Sequence, residues 1–327
     1  MLRGTARLFE ALPPRFSRGL GAILGGAAWL ASKRKVDRAE ARCVSALGVG
    51  VTVARAVVRS SFENMGRSVA EFARLGRDKD RLASIVSIEG ADRIDEAFSR
   101  GRGVIIMSAH MGSWEIAAAR LAMGYPLTAL YTSQRNGNGL EDVITSIRQA
   151  GESTMEFIPS EGWGAMRGIF RALRQGKAVI FMQDLDARGD GVVLPFLGMP
   201  ASCALGVVKV HLATGAPVLP AVALRNPDMA SHTIHVEPIL SDSPDQNGKP
   251  FGSNIENSLA MCNNVLEAWI LRHPDQWMWL LDKWESTAGV VVDTEGSETP
   301  RGVVDARGVG NTGGISSITH AGGAITI

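Results

Sequence analysis

The stretch Val104-Ile105-Ile106-Met107-Ser108-Ala109-His110-Met111-Gly112-Ser113-Trp114-Glu115 decides the fold of this 327-residue chain. It begins with a short apolar run, which is typical of a buried strand. Helical periodicity follows directly, from Trp114 to Met123. A strand that passes through a short glycine-containing turn into a helix indicates an α/β sheet.

The same alternation of strand and helix patterns continues on both sides of this stretch. The predicted strands are Val104–Ser108, Leu127–Tyr131, Ala178–Met182, Val218–Ala223 and Thr233–Val236. The predicted helices are Trp114–Met123, Leu140–Ala150, Gly164–Arg174, Leu205–Thr214 and Ile255–Arg272. We therefore predict a mixed, largely parallel sheet flanked by helices, in the α/β class.

The net charge of +1 conceals an uneven distribution of charge along the chain. The first 81 residues contain sixteen Lys and Arg against seven Asp and Glu, a net charge of +9, and the remainder carries −8. A basic end suggests a phosphate-rich partner, either nucleic acid or an anionic membrane. Nucleic acid is disfavoured because the aromatic residues of this end fall on apolar helical faces and include no Tyr.

An uncharged segment of fourteen residues, Gly19–Ser32, lies within the basic end. A spanning helix needs about 20 residues, so the segment is short for a transmembrane helix. Arginines precede it and Lys33-Arg34-Lys35 follows it, a pattern that favours an amphipathic helix lying on a membrane surface. Lys33-Arg34-Lys35 also occupies the position where a signal peptide would have a small-residue cleavage site, which argues against a cleaved signal peptide. The alternative is an amphipathic helix that packs on its own domain.

These patterns divide the chain into three predicted regions. Residues 1–81 form a basic helical membrane-associating region, with a further helix over Arg55–Arg81. Residues 82–284 form the α/β domain, and 285–327 form a disordered tail rich in Gly, Thr and Ser. The tail contains Gly308-x-Gly310-x-x-Gly313, which matches a dinucleotide-binding pattern. No predicted strand and helix flank it, so we do not predict a dinucleotide site.

The three cysteines, Cys43, Cys203 and Cys262, are odd in number and far apart. They indicate neither a disulfide framework nor a cysteine-based zinc site, and they fit a reducing environment.

His110 and Glu115 are the candidate catalytic residues. In an open α/β sheet, ligands gather at the carboxyl ends of strands, where His110 lies. If Gly112 permits a sharp turn, Glu115 falls in the first turn of the next helix and its carboxylate reaches the imidazole. Such a pair acts as a general base. The alternative is a polar histidine satisfied within a loop, and a metal site is disfavoured by the spacing of five residues.

The segment from His110 to Glu115 resembles the H-x-x-x-x-D/E motif of the lysophospholipid acyltransferase superfamily, in the form found in lipid A late acyltransferases. The resemblance extends to about Trp284. It includes Tyr131–Asn136, Gln183–Asp186, Gly191–Gly198, Ala201–Pro220 and the segment His273-Pro274-Asp275-Gln276-Trp277-Met278-Trp279. Leu280–Trp284 departs from the family's pattern.

The resemblance implies a membrane-associated acyltransferase of lipid A, and hence lipopolysaccharide, biosynthesis at the cytoplasmic face of the inner membrane. A fatty acyl chain would move from acyl carrier protein or acyl-CoA to a hydroxyl of a membrane glycolipid, without a cofactor or a metal. His110 and Glu115 would be catalytic. The implied substrate-binding residues are Gly112, Trp114, Arg135, Arg148 and Asp184.

Two alternatives remain open at this point. The first is an acyltransferase for another glycolipid, such as a phosphatidylinositol mannoside. The second is a non-catalytic protein that binds the membrane surface through its basic end.

Overall fold

The computed structural model describes residues 2–131, 144, 146–148, 155–160 and 163–289. The strands are β1 (Val86–Glu89), β2 (Val104–Ser108), β3 (Leu127–Tyr131), β4 (Glu156–Pro159), β5 (Ala178–Met182), β6 (Val192–Phe196), β7 (Met199–Cys203), β8 (Val218–Arg225) and β9 (His232–Val236). The helices are α1 (Leu2–Ala11), α2 (Pro14–Ala31), α3 (Lys33–Leu47), α4 (Val51–Ala73), α5 (Leu75–Asp78), α6 (Leu82–Ile85), α7 (Ala91–Ser99), α8 (Trp114–Ala122), α9 (Trp163–Arg174), α10 (Gly206–Thr214) and α11 (Ile255–Arg272).

Seven strands form one sheet in the order β1-β9-β8-β2-β5-β3-β4. Every neighbouring pair is parallel except β8 and β9, so β1 and β9 run opposite to the other five strands. The prediction of a largely parallel α/β sheet is therefore confirmed. Strands β6 and β7 form a separate antiparallel hairpin.

Alternate residues of the central strands enter two different hydrophobic cores. Ile105 and Met107 of β2 face the core that includes α9, α10 and α11, whereas Val104 and Ile106 face the core that includes α7 and α8. Because successive side chains of a strand point to opposite faces, both sides of the sheet are covered. The carboxyl edge of β2 and its neighbours is then the place where polar side chains can reach a substrate.

The predicted strands and helices match the structure closely. Strands β2, β3 and β5 and helix α11 have the predicted bounds, and β8 extends to Arg225. The predicted helix Leu140–Ala150 lies largely outside the described residues. In the predicted tail, residues 290–327 also lie outside them, but the side chains of Ser286 and Thr287 bond to Asp186 and to the carbonyl of Pro200.

The helix predicted over Arg55–Arg81 is different: α4 begins at Val51 and ends at Ala73. The turn at Arg74 buries its guanidinium, which donates hydrogen bonds to the carbonyls of Phe9, Glu10 and Leu12 at the end of α1. These carbonyls have no partners within their own helix, so the arginine satisfies them.

Helices α2 and α4 pack with their backbones in contact. A Cβ at Gly21 would meet the carbonyl of Gly66, one at Gly25 would meet the carbonyl of Phe62, and one at Gly66 would meet the carbonyl of Gly21. Glycine at these positions thus lets the helices approach more closely than any other residue allows.

In the part of the chain that the structure describes, no single helix combines the length and the apolar character needed to cross a bilayer. Helices α3 and α4, which are bent by 117° at their junction, satisfy these requirements only as a pair.

Candidate active site

His110 and Asp184 occupy equivalent places at the ends of two neighbouring strands. Strands β2 and β5 are parallel, and their last residues, Ser108 and Met182, are in register. His110 and Asp184 each follow two residues later, and the N–H of Gln183 donates to the carbonyl of Ser108 at 2.9 Å. The sheet therefore brings together two side chains that are 74 residues apart.

The carboxylate of Asp184 contacts His110 at two points. Its Oδ1 lies 2.9 Å from the ring Nδ1, and its Oδ2 accepts the main-chain N–H of His110 at 2.8 Å. A carboxylate beside Nδ1 favours the tautomer with the proton on that nitrogen, which leaves the lone pair on Nε2. Such an arrangement can act as an oriented general base, and the imidazole, which is 18 % exposed, remains accessible.

Asp184 is fully buried, and its ionised form is stabilised by its neighbours. Burial raises the pKa of this carboxyl, but the charge of His110 and the hydrogen bonds from His110 and Trp277 outweigh that effect and hold the pKa below its ordinary value. The indole Nε1 of Trp277 donates to Oδ2 at 2.9 Å. Trp277 is fully buried, and its indole fixes the carboxylate behind His110.

Gly112 makes the predicted sharp turn between His110 and α8. Its φ is +53°, in the left-handed region, and a Cβ there would meet the carbonyl of Ala223. The turn places Glu115 in the first turn of α8, as expected from the sequence.

Glu115 has a partner different from the one expected. The sequence suggested that its carboxylate reaches the imidazole, but Glu115 accepts two hydrogen bonds from Arg148, at 3.2 Å from Nε and 2.5 Å from Nη2. The carboxylate at Nδ1 of His110 is therefore that of Asp184 and not that of Glu115. The segment from His110 to Glu115 gives no indication of this partner, because Asp184 follows a different strand, β5.

Arg148 lies between the carboxylate and aromatic rings. Its guanidinium carbon is 4.5 Å from the ring centroid of Phe157 and 6.0 Å from that of Phe72. Such stacking holds the planar group in place. Arg135, the other basic residue expected to contact substrate, lies outside the described residues.

A mainly apolar cavity of about 90 Å³ is lined by Ser108 and Trp114, which lie on either side of His110 in the sequence. Trp114 joins the cavity to His110, because its ring packs edge-on against the imidazole with 5.2 Å between centroids and also lines the cavity. Further walls come from α8 and from β2, β3, β5 and β8, among them Ala117, Ala118, Leu121, Ala129, Ile180 and Val222. Ser108, Glu115 and Arg148 form the polar part of the lining.

Lys283, in the segment that departs from the family pattern, is fully buried next to the site. Its Nζ donates to the carbonyls of Leu185, at 2.5 Å, and Ser202, at 2.9 Å. Burial lowers the pKa of this amine despite nearby acidic groups. Since Leu185 follows Asp184 directly, Lys283 fixes the loop that carries the carboxylate, a role the sequence did not reveal.

Among the residues described here, no group of three or more His, Cys, Asp or Glu side chains is arranged to hold a metal ion.

Comparison with known proteins gives a family match over nearly the whole chain. The family model described as "Bacterial lipid A biosynthesis acyltransferase" matches residues 3–286.

Individual relatives are more distant. The lipid A biosynthesis palmitoleoyltransferase of Escherichia coli K12 is 25 % identical over 227 residues, 68 % of this chain and 70 % of that protein. The lipid A biosynthesis lauroyltransferase of the same organism is 24 % identical over 229 residues, 69 % and 71 % of the two chains. A phosphatidylinositol mannoside acyltransferase of Mycobacterium tuberculosis (strain CDC 1551 / Oshkosh) is 26 % identical over 171 residues, 49 % of this chain and 52 % of its own.

Proposed function

The chain belongs to the bacterial lipid A biosynthesis acyltransferases, and we propose that it transfers a fatty acyl chain from acyl carrier protein or acyl-CoA to a hydroxyl of a lipid A precursor. An acyltransferase activity follows from the family. The donor, the acceptor and the roles of individual residues belong to the proposal.

The contact between His110 and Asp184 is the observation that carries the mechanism. With its proton held on Nδ1 by the carboxylate, the imidazole takes the proton of the acceptor hydroxyl at Nε2 as the oxygen attacks the thioester carbonyl. The tetrahedral adduct collapses, the C–S bond breaks, and the imidazolium returns the proton to the leaving thiolate. Asp184 stabilises the imidazolium that forms in between.

The cavity beside Trp114 supplies the place for the acyl chain. Its lining is mainly aliphatic and Trp114 joins it to His110, so the first few methylenes of a chain held there would keep the carbonyl carbon near the reacting hydroxyl. Burial of methylene groups contributes about 0.8 kcal/mol each, which makes such a cavity suited to a hydrocarbon chain. Holding both reactants in this way contributes to the rate by proximity.

Arg148 and Glu115 have a supporting role in this proposal. The bidentate pair stands at the polar edge of the acyl cavity, and Arg148 retains further N–H groups that can bind a phosphate of the donor or of the acceptor. Arg135 remains a second proposed phosphate ligand.

The N-terminal helices provide the proposed membrane contact. Large apolar side chains of α2 are exposed, with Ile23 at 69 % and Leu30 at 73 %. Basic residues lie close to them in sequence, and Arg55 stacks on Trp29 with 5.1 Å to the ring centroid. Apolar side chains flanked by cations favour binding to an anionic bilayer, which we place at the cytoplasmic face of the inner membrane.

A phosphatidylinositol mannoside is the second candidate acceptor. The mycobacterial relative named for this substrate is as similar in identity as the two Escherichia coli enzymes, although over a shorter length.

The test is acyl transfer by the purified full-length protein, with mass spectrometry of the lipid product. Each acceptor is offered with acyl carrier protein or coenzyme A thioesters. We expect His110→Ala to lower turnover by about 10²- to 10⁴-fold. Liposome binding should remain unchanged and the protein should still fold, with a lower unfolding temperature because the buried carboxylate of Asp184 loses the imidazole.

His235→Ala is the matched control, since this half-buried histidine on β9 bonds to Glu89 instead of a residue of the site. Unchanged turnover of His110→Ala would refute the assigned base. Transfer to neither lipid would refute the proposed acceptors.

A further inference from the structure

The Gly112 turn is held from outside its own segment by two hydrogen bonds. The carbonyl of Gly112 accepts the hydroxyl of Ser68, on α4, at 2.8 Å. The N–H of Gly112 donates to the carbonyl of Gln276 at 3.0 Å. Because Gly112 lies two residues after His110 and two before the start of α8, these bonds fix the backbone between the base and the helix.

Ser68 is in turn held by a buried arginine. Nη2 of Arg225, the last residue of β8, donates to Oγ of Ser68 at 3.1 Å, and Nη1 of the same guanidinium bonds to Glu71 one helical turn further along α4. The side chain of Gln276 fixes the arginine backbone, with its Oε1 accepting the N–H of Arg225 at 2.7 Å and its Nε2 donating to the carbonyl at 2.9 Å.

The charged side chains in this network are buried. The side chain of Arg225 is 1 % exposed, that of Glu71 is 9 % exposed and that of His232, 3.3 Å from Glu71, is 2 % exposed. Removing an ion pair from water costs about as much as the pair returns, so a buried pair is poor support for stability by itself. Its value lies in fixing one arrangement of the groups attached to it.

The geometry points to Ser68 and Arg225 as positioning residues that hold the Gly112 turn and thereby aim His110 at the acceptor hydroxyl. The inference rests on the proposed function, in which His110 is the base. Neither residue touches the reacting atoms. Through them α4, a helix of the basic N-terminal region, forms part of the frame of the active site.

A different role for the network would be to attach α4 to the sheet. Loss of the network would then lower the free energy of unfolding and the fraction of active protein, but each folded molecule would keep its turnover number. A positioning role predicts a lower kcat in fully folded protein, with the KM for the acyl donor unchanged, because the acyl cavity does not include Ser68 or Arg225.

Ser68→Ala, in the full-length protein, removes the hydroxyl that holds Gly112. The matched control is Ser258→Ala, because both serines are buried in a helix. Each lies within hydrogen-bonding distance of the carbonyl four residues earlier, Asn64 or Asn254, and each bonds to the backbone of a glycine, Gly112 or Gly252. We expect Ser68→Ala to lower kcat by about ten- to a hundredfold with KM within a factor of two, and Ser258→Ala to leave kcat unchanged.

A second measurement does not depend on activity. Amide hydrogen exchange of the peptide covering residues 108–116 should become faster in Ser68→Ala and stay at the wild-type rate in Ser258→Ala. If Ser68→Ala does not fold, Arg225→Lys keeps the charge opposite Glu71 while removing the fork that also reaches Ser68, and it should show the same two effects.

Equal kcat values in folded Ser68→Ala and Ser258→Ala, or unchanged exchange of this peptide, would overturn the inference. Absence of acyl transfer by the wild-type protein would refute the proposed function instead, and hydrogen exchange would still decide whether Ser68 holds the turn.

Discussion

One carboxylate, that of Asp184, holds both the ring and the main chain of His110. Its two oxygens lie 2.9 Å from the ring Nδ1 and 2.8 Å from the backbone nitrogen. Holding both parts of one residue restricts rotation of the ring and movement of the loop together. The histidine is therefore oriented before any substrate arrives, which is the condition for efficient proton transfer.

Asp184→Asn is expected to lower kcat by about 10²- to 10⁴-fold with little change in KM, because the uncharged amide no longer supports the imidazolium or the required tautomer. Steady-state kinetics with one acyl donor provides the measurement. The double variant with His110→Ala should be no slower than His110→Ala alone, since the two residues act as one unit. Near wild-type kcat in Asp184→Asn would contradict the assignment.

Glu71 should make the stability of the protein depend on acid pH. Burial raises the pKa of this carboxyl, but the hydrogen bond from His232 and the charge of Arg225 outweigh it, so that the pKa falls to about 2 from an ordinary value near 4.5. The ionised carboxylate therefore stabilises the fold above about pH 4.5, and this contribution is lost as pH falls from 4.5 to about 2.

Glu71→Gln is accordingly expected to cost about 3 kcal/mol at neutral pH, with the difference from wild type shrinking below pH 4.5. Urea unfolding at several pH values between 2 and 7 measures it. Glu256→Gln, at an exposed position in the first turn of α11, should keep the wild-type pH dependence. A constant difference between wild type and Glu71→Gln at all pH values would show that the ionisation of Glu71 is not involved.

The walls of the acyl cavity should determine the preferred donor. Ala118→Leu fills the space beside α8, and we expect it to lower kcat/KM for a twelve-carbon donor relative to a two-carbon donor, which has no chain to place there, by at least about tenfold. Leu121→Ala, in the same wall, should shift the ratio in the opposite direction. Because both donors compete in one reaction, differences in the active fraction cancel. An unchanged ratio in both variants would place the acyl chain elsewhere.

The cysteines should be unreactive in the native protein. All three are buried, and burial raises the pKa of both Cys43 and Cys262 to about 12. Since the thiolate is the reactive form, iodoacetamide at pH 8 should label none of them at an appreciable rate and should not affect turnover. Labelling in urea, where all three thiols become accessible, is the control. Rapid inactivation of the folded protein would indicate a thiol at the reaction centre.

The central strands were predictable from the sequence because they are buried on both faces. Strands β2, β3 and β5 consist of apolar runs that end at polar or turn residues, and this composition fixes their bounds. Within the seven-stranded sheet, the strands that escaped prediction are β1 and β4, which lie at its two edges and have four residues each. Edge strands are short and half-exposed, so their patterns are weaker.

The hairpin of β6 and β7 also escaped prediction, for a different reason. Its two strands are joined by Leu197 and Gly198, both with positive φ, at +47° and +72°. A leucine is an unusual residue in this conformation, so the usual Asn-Gly or Asp-Gly signal of a tight hairpin is missing.

The position of the candidate site could be predicted from the sequence, but the contacts between its side chains could be predicted only in part. His110, the turn at Gly112 and the placement of Glu115 follow from local sequence. The partner of His110 does not follow from local sequence. Asp184 comes directly after β5, which lies next to β2 in the sheet although β3 and β4 separate the two strands along the chain. The same holds for Ser68 and Arg225, which are 157 residues apart and meet only through packing of α4 on the sheet.

The glycine contact between α2 and α4 limits how the protein can be trimmed for biochemical work. Helix α2 lies directly on α4, and the other side of α4 supplies Ser61 and Asn64 to the carbonyls of Trp277 and Asp275 beside the site. Cutting away the N-terminal helices to improve handling without detergent would thus remove one wall of the reaction centre. Exchanging outward side chains such as Ile23 and Leu30 for polar ones, with the glycines retained, changes the surface and spares that wall.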